Sequence, residues 1–404
     1  MRPIDIVHLT FKPPFAPGSF NRMVGTQMEK ITGLSQAVIS YWDQPISAND
    51  KTDDRTILVN GERLSILKKA ILQLPERLRR NRFNGVTARD SLTYLWQILE
   101  ILPRLKPKVI VCYDNYKFGR LLRQHINWPC RLVLSQHGLS YLLAADAATK
   151  LYNLQSFDTV WTLTLASYRF DRQRISAYEP TVNVIHNWID VDQFHPATNE
   201  EKKALRQSWG LHETAPVVLC LGRLTPKKGA HVLVQSWRKV VDECPDAVLW
   251  IVGSGDQAYI NYLQDLTKNL GLADNVKLQG AVPPEQTPFC YQASDVYVFP
   301  TLFGAEGFGL SLLEAMACGL ACAASDIEIL RELYSAETVL LVPDPNLEDA
   351  FVKPILSLLS DSDLRARMGK AARSYASEHY HHEKILAQLK EFYRRQIAYL
   401  GEQH

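Results

Sequence analysis

Along the N-terminal half of the chain, short runs of apolar, often β-branched residues alternate with longer stretches of helical periodicity. The runs fall at Ile4–Leu9, Ala37–Trp42, Val109–Tyr113, Arg131–Ser135, Thr159–Leu163 and Val182–Ile185. Runs that stay apolar throughout predict strands buried on both faces, and the helical stretches between them supply the crossovers that a parallel sheet needs. The same pattern returns more clearly in the second half, at Val217–Leu221, Ala247–Val252, Val276–Gln279, Val296–Phe299, Leu320–Ala323 and Val339–Val342. Two such series predict two α/β units. His195-Pro196 closes the first, and a polar run then leads into a helical pattern at Glu200–Trp209, which places the units at 1–195 and 196–381. A last amphipathic pattern, from about His382 to Leu400, predicts a helix that crosses back onto the first unit, so 382–404 is assigned there. No short internal repeat or low-complexity tract interrupts this plan.

Composition narrows the classes of function. A chain of 404 residues with 46% hydrophobic and 22% charged positions has material for two full cores. A formal net charge of +2 supplies no field for a polyanion, so no nucleic-acid partner is expected. The seven cysteines are odd in number and form no CxxC pair, which fits a reducing compartment. The opening MRPIDIVHLTF reads directly as a strand rather than as a signal peptide, and no stretch approaches the roughly 18 apolar residues of a membrane span. A cytoplasmic protein is expected. Between Arg63 and Arg82, seven basic residues interleave with apolar ones around Pro75. Such a stretch suits peripheral contact with the anionic inner face of a membrane, and equally an ordinary solvated face.

The densest chemical signal lies in the segment from Phe299 to Gly319, FPTLFGAEGFGLSLLEAMACG. It predicts a strand, a loop and then a helix that starts near Phe308 and stops at Gly319, where a glycine suits a left-handed cap. The loop follows the carboxyl end of a parallel strand, where open α/β sheets bind ligands. Gly307 and Gly309 allow close backbone approach, and the amides of Phe308, Gly309, Leu310 and Ser311 at the helix start can hold a diphosphate. Glu306 and Glu314 flank that anion site. Two carboxylates beside a phosphate are tolerable where they accept hydrogen bonds from hydroxyl groups, which points to a sugar and a ribose.

Glu306 and Glu314, eight positions apart in EGFGLSLLE, resemble the EX7E motif of the large family 4 of retaining glycosyltransferases. The resemblance implies that Glu306 contacts the donor sugar and Glu314 the nucleotide ribose. Leu221-Gly-Arg-Leu-Thr-Pro-Lys-Lys-Gly229 resembles the family's GRLxxxKG element, which implies that Arg223 and Lys228 neutralise the donor diphosphate and replace a divalent metal. Fixed cations there stabilise the charge that develops on the leaving phosphate. His137, at the end of an apolar strand, occupies a position where the family commonly carries a histidine facing sugar and acceptor. A histidine there can bind a sugar hydroxyl or steady positive charge in an oxocarbenium-like transition state. Gly18, in APGSFNR, is the one match to the glycine-rich loop that the family places near the donor phosphates, with Ser19 where a second glycine is common. Val184–Pro196 is similar to the family's VIPNGVDxxxFxP stretch, with His186 and Trp188 in place of proline and glycine. Trp188 is a candidate either for the wall of the hinge or for stacking an acceptor.

The resemblance implies a GT-B fold, two Rossmann-like domains facing each other across a cleft, with the donor site in the second. It further implies retaining transfer of a hexosyl unit from a nucleoside-diphosphate sugar, UDP-linked by preference, to an acceptor hydroxyl in glycan or glycolipid synthesis. The acceptor classes are a glycan, a lipid-linked sugar or a small molecule. No cofactor or metal is expected beyond the donor. A nucleotide-sugar 2-epimerase on the same architecture and a non-catalytic sugar-nucleotide-binding protein are the alternatives. His379, His381 and His382 lack a companion ligand set and read as surface histidines, and Cys318 and Cys322 read as small packing residues.

Overall fold

The computed structural model describes residues 4–10, 19–41, 55–59, 82–83, 86–137, 147–173, 175, 177–302 and 306–402. Gly18 and the basic stretch as far as residue 81 lie outside the described residues. The chain divides into two compact units: residues 1–185 with 386–404, and residues 186–385.

In the first unit, β1 (Ile6–Thr10), β2 (Gln36–Tyr41), β3 (Thr56–Val59), β6 (Val109–Tyr113), β7 (Arg131–Gln136), β8 (Thr159–Thr162) and β9 (Val182–Val184) form a parallel sheet. Its order is β3-β2-β1-β6-β7-β8-β9, and a separate two-stranded hairpin joins β4 (Arg82–Phe83) to β5 (Val86–Thr87). Two elements differ from expectation. β3 is a partly exposed edge strand of four residues, too short and too polar in its surroundings to stand out, and the hairpin strands have two residues each.

In the second unit, β10 (Val217–Leu221), β11 (Val248–Val252), β12 (Val276–Gly280), β13 (Val296–Phe299), β14 (Ala321–Ser325) and β15 (Val339–Val342) form a parallel sheet in the order β12-β11-β10-β13-β14-β15. Strand order reverses between β10 and β13, so their carboxyl ends flank the switch-point crevice of a doubly wound sheet. Both units are therefore Rossmann-like, the two domain types expected of a GT-B chain.

The division falls upstream of His195-Pro196. The segment after Ile185 belongs to the second unit because its backbone is consumed there. Ile189 N donates to Tyr380 O at 2.8 Å, His382 N to Ile189 O at 3.0 Å, and the Arg373 guanidinium to the carbonyls of Phe194 (2.6 Å) and Val191 (3.0 Å). Trp188 is buried, 6% exposed, as a residue of the hinge wall would be. The helix Asn199–Ser208 opens with a capping box between Thr198 and Glu201, the start signal expected of that stretch.

The terminal helix spans His382–Ala398, and residues from Leu386 onward belong to the first unit. Tyr393 donates to Gln27 Oε1 at 3.0 Å, the Arg131 guanidinium to Gln396 Oε1 at 3.2 Å, and Phe392 packs on Trp161. Beside them His8 is fully buried between Gln36 Oε1 and the Tyr113 hydroxyl, each at 3.0 Å. Gln36 spends its amide protons on the carbonyls of Gln27 and Ile31. His8 Nε2 is therefore the donor to Gln36, and Nδ1 accepts from Tyr113. Burial, partly opposed by the Gln36 bond, lowers the His8 pKa to about 4.

Candidate donor site

The site grows from loops at the carboxyl edge of the second sheet. Leu224 N donates to Ser254 O and Leu302 N to Lys227 O, each at 2.8 Å, which joins the loops after β10, β11 and β13. Glycine is required where they touch. A Cβ on Gly229 (φ +74°) would lie 1.9 Å from Pro300 O, and one on Gly255 would lie 1.8 Å from Leu224 O. The loop residues of the GRLTPKKG element are thus fixed by backbone contact before any side chain acts.

Above this platform Gly309, at φ +85°, caps the helix Leu310–Ala317. The left-handed cap shifts the helix start to Leu310, two residues beyond the Phe308 expected from sequence, and Gly319 (φ +74°) follows its end as anticipated. Glu306 Oε1 accepts from the amides of Gly307 (3.0 Å), Phe308 (3.2 Å) and Gly309 (2.9 Å). Its Oε2 lies 2.6 Å from Lys228 Nζ. Burial pushes the Glu306 carboxyl up, but the charge and hydrogen bond of Lys228 and the amides of Phe308 and Gly309 outweigh it and hold the pKa below the ordinary value. Lys228 also lies 5.6 Å from the centroid of Phe299. The amides expected to receive a phosphate are thus partly engaged by a carboxylate of the same loop. The next amides in the first helical turn, those of Leu310 and Ser311, lack the intrahelical acceptors that later positions have.

Along the same helix, Glu314 is 6% exposed and its Oε2 accepts from the Tyr291 hydroxyl at 2.8 Å. The Tyr297 hydroxyl lies 2.8 Å from Ser311 Oγ and 3.1 Å from Leu221 O. Since the carbonyl can only accept, Tyr297 donates to Leu221 and receives the Ser311 proton. These hydroxyls escaped the sequence reading. The signal was a tyrosine inside the otherwise apolar run VYVF, and nothing in the sequence tied Tyr291 to a carboxylate in another element.

Lys228, Glu306, Gly307, Phe308 and Gly309 therefore form one cluster, with Leu310, Ser311 and Glu314 along the adjoining helix. Arg223 stands on the same loop as Lys228, exposed, with no ion pair among the described residues. His137 belongs to the first unit, directly after β7. Its Nε2 lies 2.9 Å from Ser135 Oγ, its amide donates to Asp114 Oδ1 at 2.7 Å, and its ring packs edge-on against Trp161. Burial lowers its pKa to about 3, so the ring is uncharged at neutral pH.

Of the three histidines near the second unit's end, His379 is exposed as expected, its ring on Tyr375 at 4.3 Å, and His381 is half-buried. His382 departs from the surface reading, being 5% exposed with its Nδ1 4.0 Å from Asp190 Oδ1. Cys318 and Cys322 are buried thiols, and burial raises the pKa of both. Among the described residues no helix is long and apolar enough to cross a membrane.

Residues 201–375 match the model of a family described as glycosyl transferases group 1. The chain is 31% identical over 265 residues to a GDP-mannose-dependent alpha-(1-6)-phosphatidylinositol monomannoside mannosyltransferase of Mycolicibacterium smegmatis, a match covering 62% of this chain and 66%, just under two thirds, of that protein. It is 30% identical over 281 residues to the protein of the same description in Mycobacterium tuberculosis, covering 67% and 71% of the two chains. Among solved structures, sucrose-phosphate synthase of Thermosynechococcus elongatus superposes with a TM-score of 0.78 at 22% identity, covering 98% of this chain and 99% of that one. That likeness concerns the fold.

Proposed function

We propose, from the premise that the chain belongs to the glycosyl transferases group 1 family, that it transfers a hexosyl unit from a nucleoside-diphosphate sugar to an acceptor hydroxyl with retention of anomeric configuration. The observation that carries this reading is the pairing of Lys228 with Glu306 at 2.6 Å on the amides of a helix start that also bears Glu314. Lys228, Arg223 and the first-turn amides provide positive potential for a diphosphate, while Glu306 and Glu314 provide acceptors for sugar and ribose hydroxyls.

In this reading the bond between C1 and the β-phosphate oxygen breaks with its electron pair leaving on the phosphate. Lys228 and Arg223 stabilise that charge more in the transition state than in the ground state. The acceptor oxygen bonds to C1 on the same face, and its proton passes to the departing phosphate oxygen. No divalent metal is required, because the two cations take its part. His137, uncharged, is assigned to a sugar hydroxyl on the strength of the resemblance.

The relatives named above are described as GDP-mannose-dependent, which moves the first choice of donor from a UDP-hexose to GDP-mannose. Their acceptors are phosphatidylinositol mannosides, so a polyol or sugar hydroxyl on a lipid headgroup is the first acceptor class to try. Incubation with labelled GDP-mannose and UDP-hexoses tests the reading. Release of nucleoside diphosphate with an α-configured product, or slow donor hydrolysis without acceptor, is expected. Inversion at sugar C2 would assign an epimerase instead, and binding without turnover a sensor.

A further inference from the structure

We propose that Tyr291 is a positioning residue of the donor site: its hydroxyl fixes the plane of the Glu314 carboxylate and thereby sets the preference for ribonucleotides over deoxyribonucleotides. The proposal rests on the reading of Glu314 as the ribose contact.

A glutamate on a helix has three side-chain torsions, and gripping the vicinal hydroxyls of a ribose demands one orientation of its carboxylate. Tyr291 supplies that constraint. It is fully buried on the short helix Thr287–Gln292. Its ring meets Tyr297 edge-on at 5.5 Å and Phe194 at 6.1 Å. The following residue is anchored too, with Gln292 Nε2 donating to His195 O at 2.9 Å. The phenol oxygen is therefore held in place by packing, and its bond to Glu314 Oε2, at 2.8 Å, inherits that rigidity. Burial first, and then the charge of Glu314, push the Tyr291 pKa well above its ordinary value, so the hydroxyl stays protonated and remains a donor to the carboxylate. It takes no part in proton transfer. On the neighbouring strand, Tyr297 ties Ser311 to the carbonyl of Leu221, so helix and sheet are locked together one turn before Glu314.

The test uses the full chain and measures the affinity of GDP and UDP and of their 2′-deoxy and 3′-deoxy counterparts by calorimetry, for wild type, Tyr291→Phe, Glu314→Ala and the double variant. Loss of a hydrogen bond to a charged acceptor predicts that wild type favours the ribonucleotide by about ten-fold or more. Tyr291→Phe is expected to keep binding while this preference falls to about three-fold or less, and Glu314→Ala to abolish it. Adding Tyr291→Phe to Glu314→Ala should change nothing further, because Tyr291 acts through the carboxylate. If Tyr291→Phe melts too low, the series is repeated with trimethylamine N-oxide, which favours the folded state. Full wild-type preference in Tyr291→Phe, with loss in Glu314→Ala, overturns the role of Tyr291 alone. Nucleotide binding by wild type with no ribose preference overturns the reading of Glu314, and the proposal with it.

Discussion

The carboxylate of Glu306 bonds to Lys228 through one oxygen, at 2.6 Å, and collects three backbone amides through the other. The loops after β10 and β13 thus bring together the cation and the amide cluster that a diphosphate would use, and a negative group of the protein holds both. Donor binding in this account takes Lys228 from Glu306 to phosphate, and it releases the carboxylate toward the sugar.

Replacing Glu306 by Gln removes the charge that competes with phosphate while keeping the shape of the side chain. Affinity for the nucleoside diphosphate is expected to hold or rise, while turnover falls by about 100-fold or more. Separate measurement of nucleotide affinity and of kcat checks the split, and a parallel fall in both would contradict it.

Lys228→Ala has the opposite signature. It strands a half-buried carboxylate, with an expected loss of about 1–3 kcal/mol in stability, and it removes a phosphate contact, so nucleotide affinity falls at least about ten-fold. Urea denaturation and calorimetry on the same preparation give both numbers. Lys228→Arg retains the charge and should recover most of the stability.

Gly229 and Gly271 separate crowding from strain. Both have positive φ, +74° and +65°, but a Cβ at Gly229 meets Pro300 O at 1.9 Å whereas one at Gly271 meets nothing within 4 Å. Gly271→Ala should cost about 1 kcal/mol, the usual penalty of the left-handed region for an alanine. Gly229→Ala must displace the loop after β13, so it should cost more and abolish nucleotide binding. Equal costs at the two positions would contradict the packed platform.

His8 predicts an acid transition. Its folded pKa, about 4, lies below the unfolded value near 6.5, so the unfolded state binds more protons between these limits. The stability that His8 contributes is full above about pH 6.5 and is lost as pH falls toward 4, on the order of 3 kcal/mol in all. Melting curves from pH 7 to 4 should decline, and His8→Asn should flatten the decline. An unchanged slope in that variant would rule out His8 as its source.

Much of this architecture could be read directly from residues. Apart from the alternating edge strand β12, VKLQG, strands β10 to β15 are nearly continuous apolar runs between helical stretches, and the bounds of all six moved by at most a residue or two. The edge strand β3 was hidden because a half-exposed TILV has no two-sided burial to mark it. The contact division falls after Ile185 rather than at His195-Pro196, because that pair marks a local turn whereas long-range bonds such as those of Arg373 to Val191 and Phe194 decide membership. Glu306, Glu314 and Lys228 were legible as chemistry at fixed spacing. Tyr291, which bonds Glu314, and Tyr297, which bonds Ser311, were not, since a hydroxyl that reaches a side chain 23 or 14 positions away leaves no local periodicity.

The most direct test is a thermal-shift panel of GDP, UDP, ADP and their sugars, with and without chelator, on wild type, Arg223→Ala and Glu314→Ala. A ligand that binds only the folded state raises its stability, so the account predicts a chelator-insensitive rise from one nucleotide family, GDP first, that is smaller in both variants. No rise from any nucleotide, or one undiminished by both substitutions, would contradict the donor site.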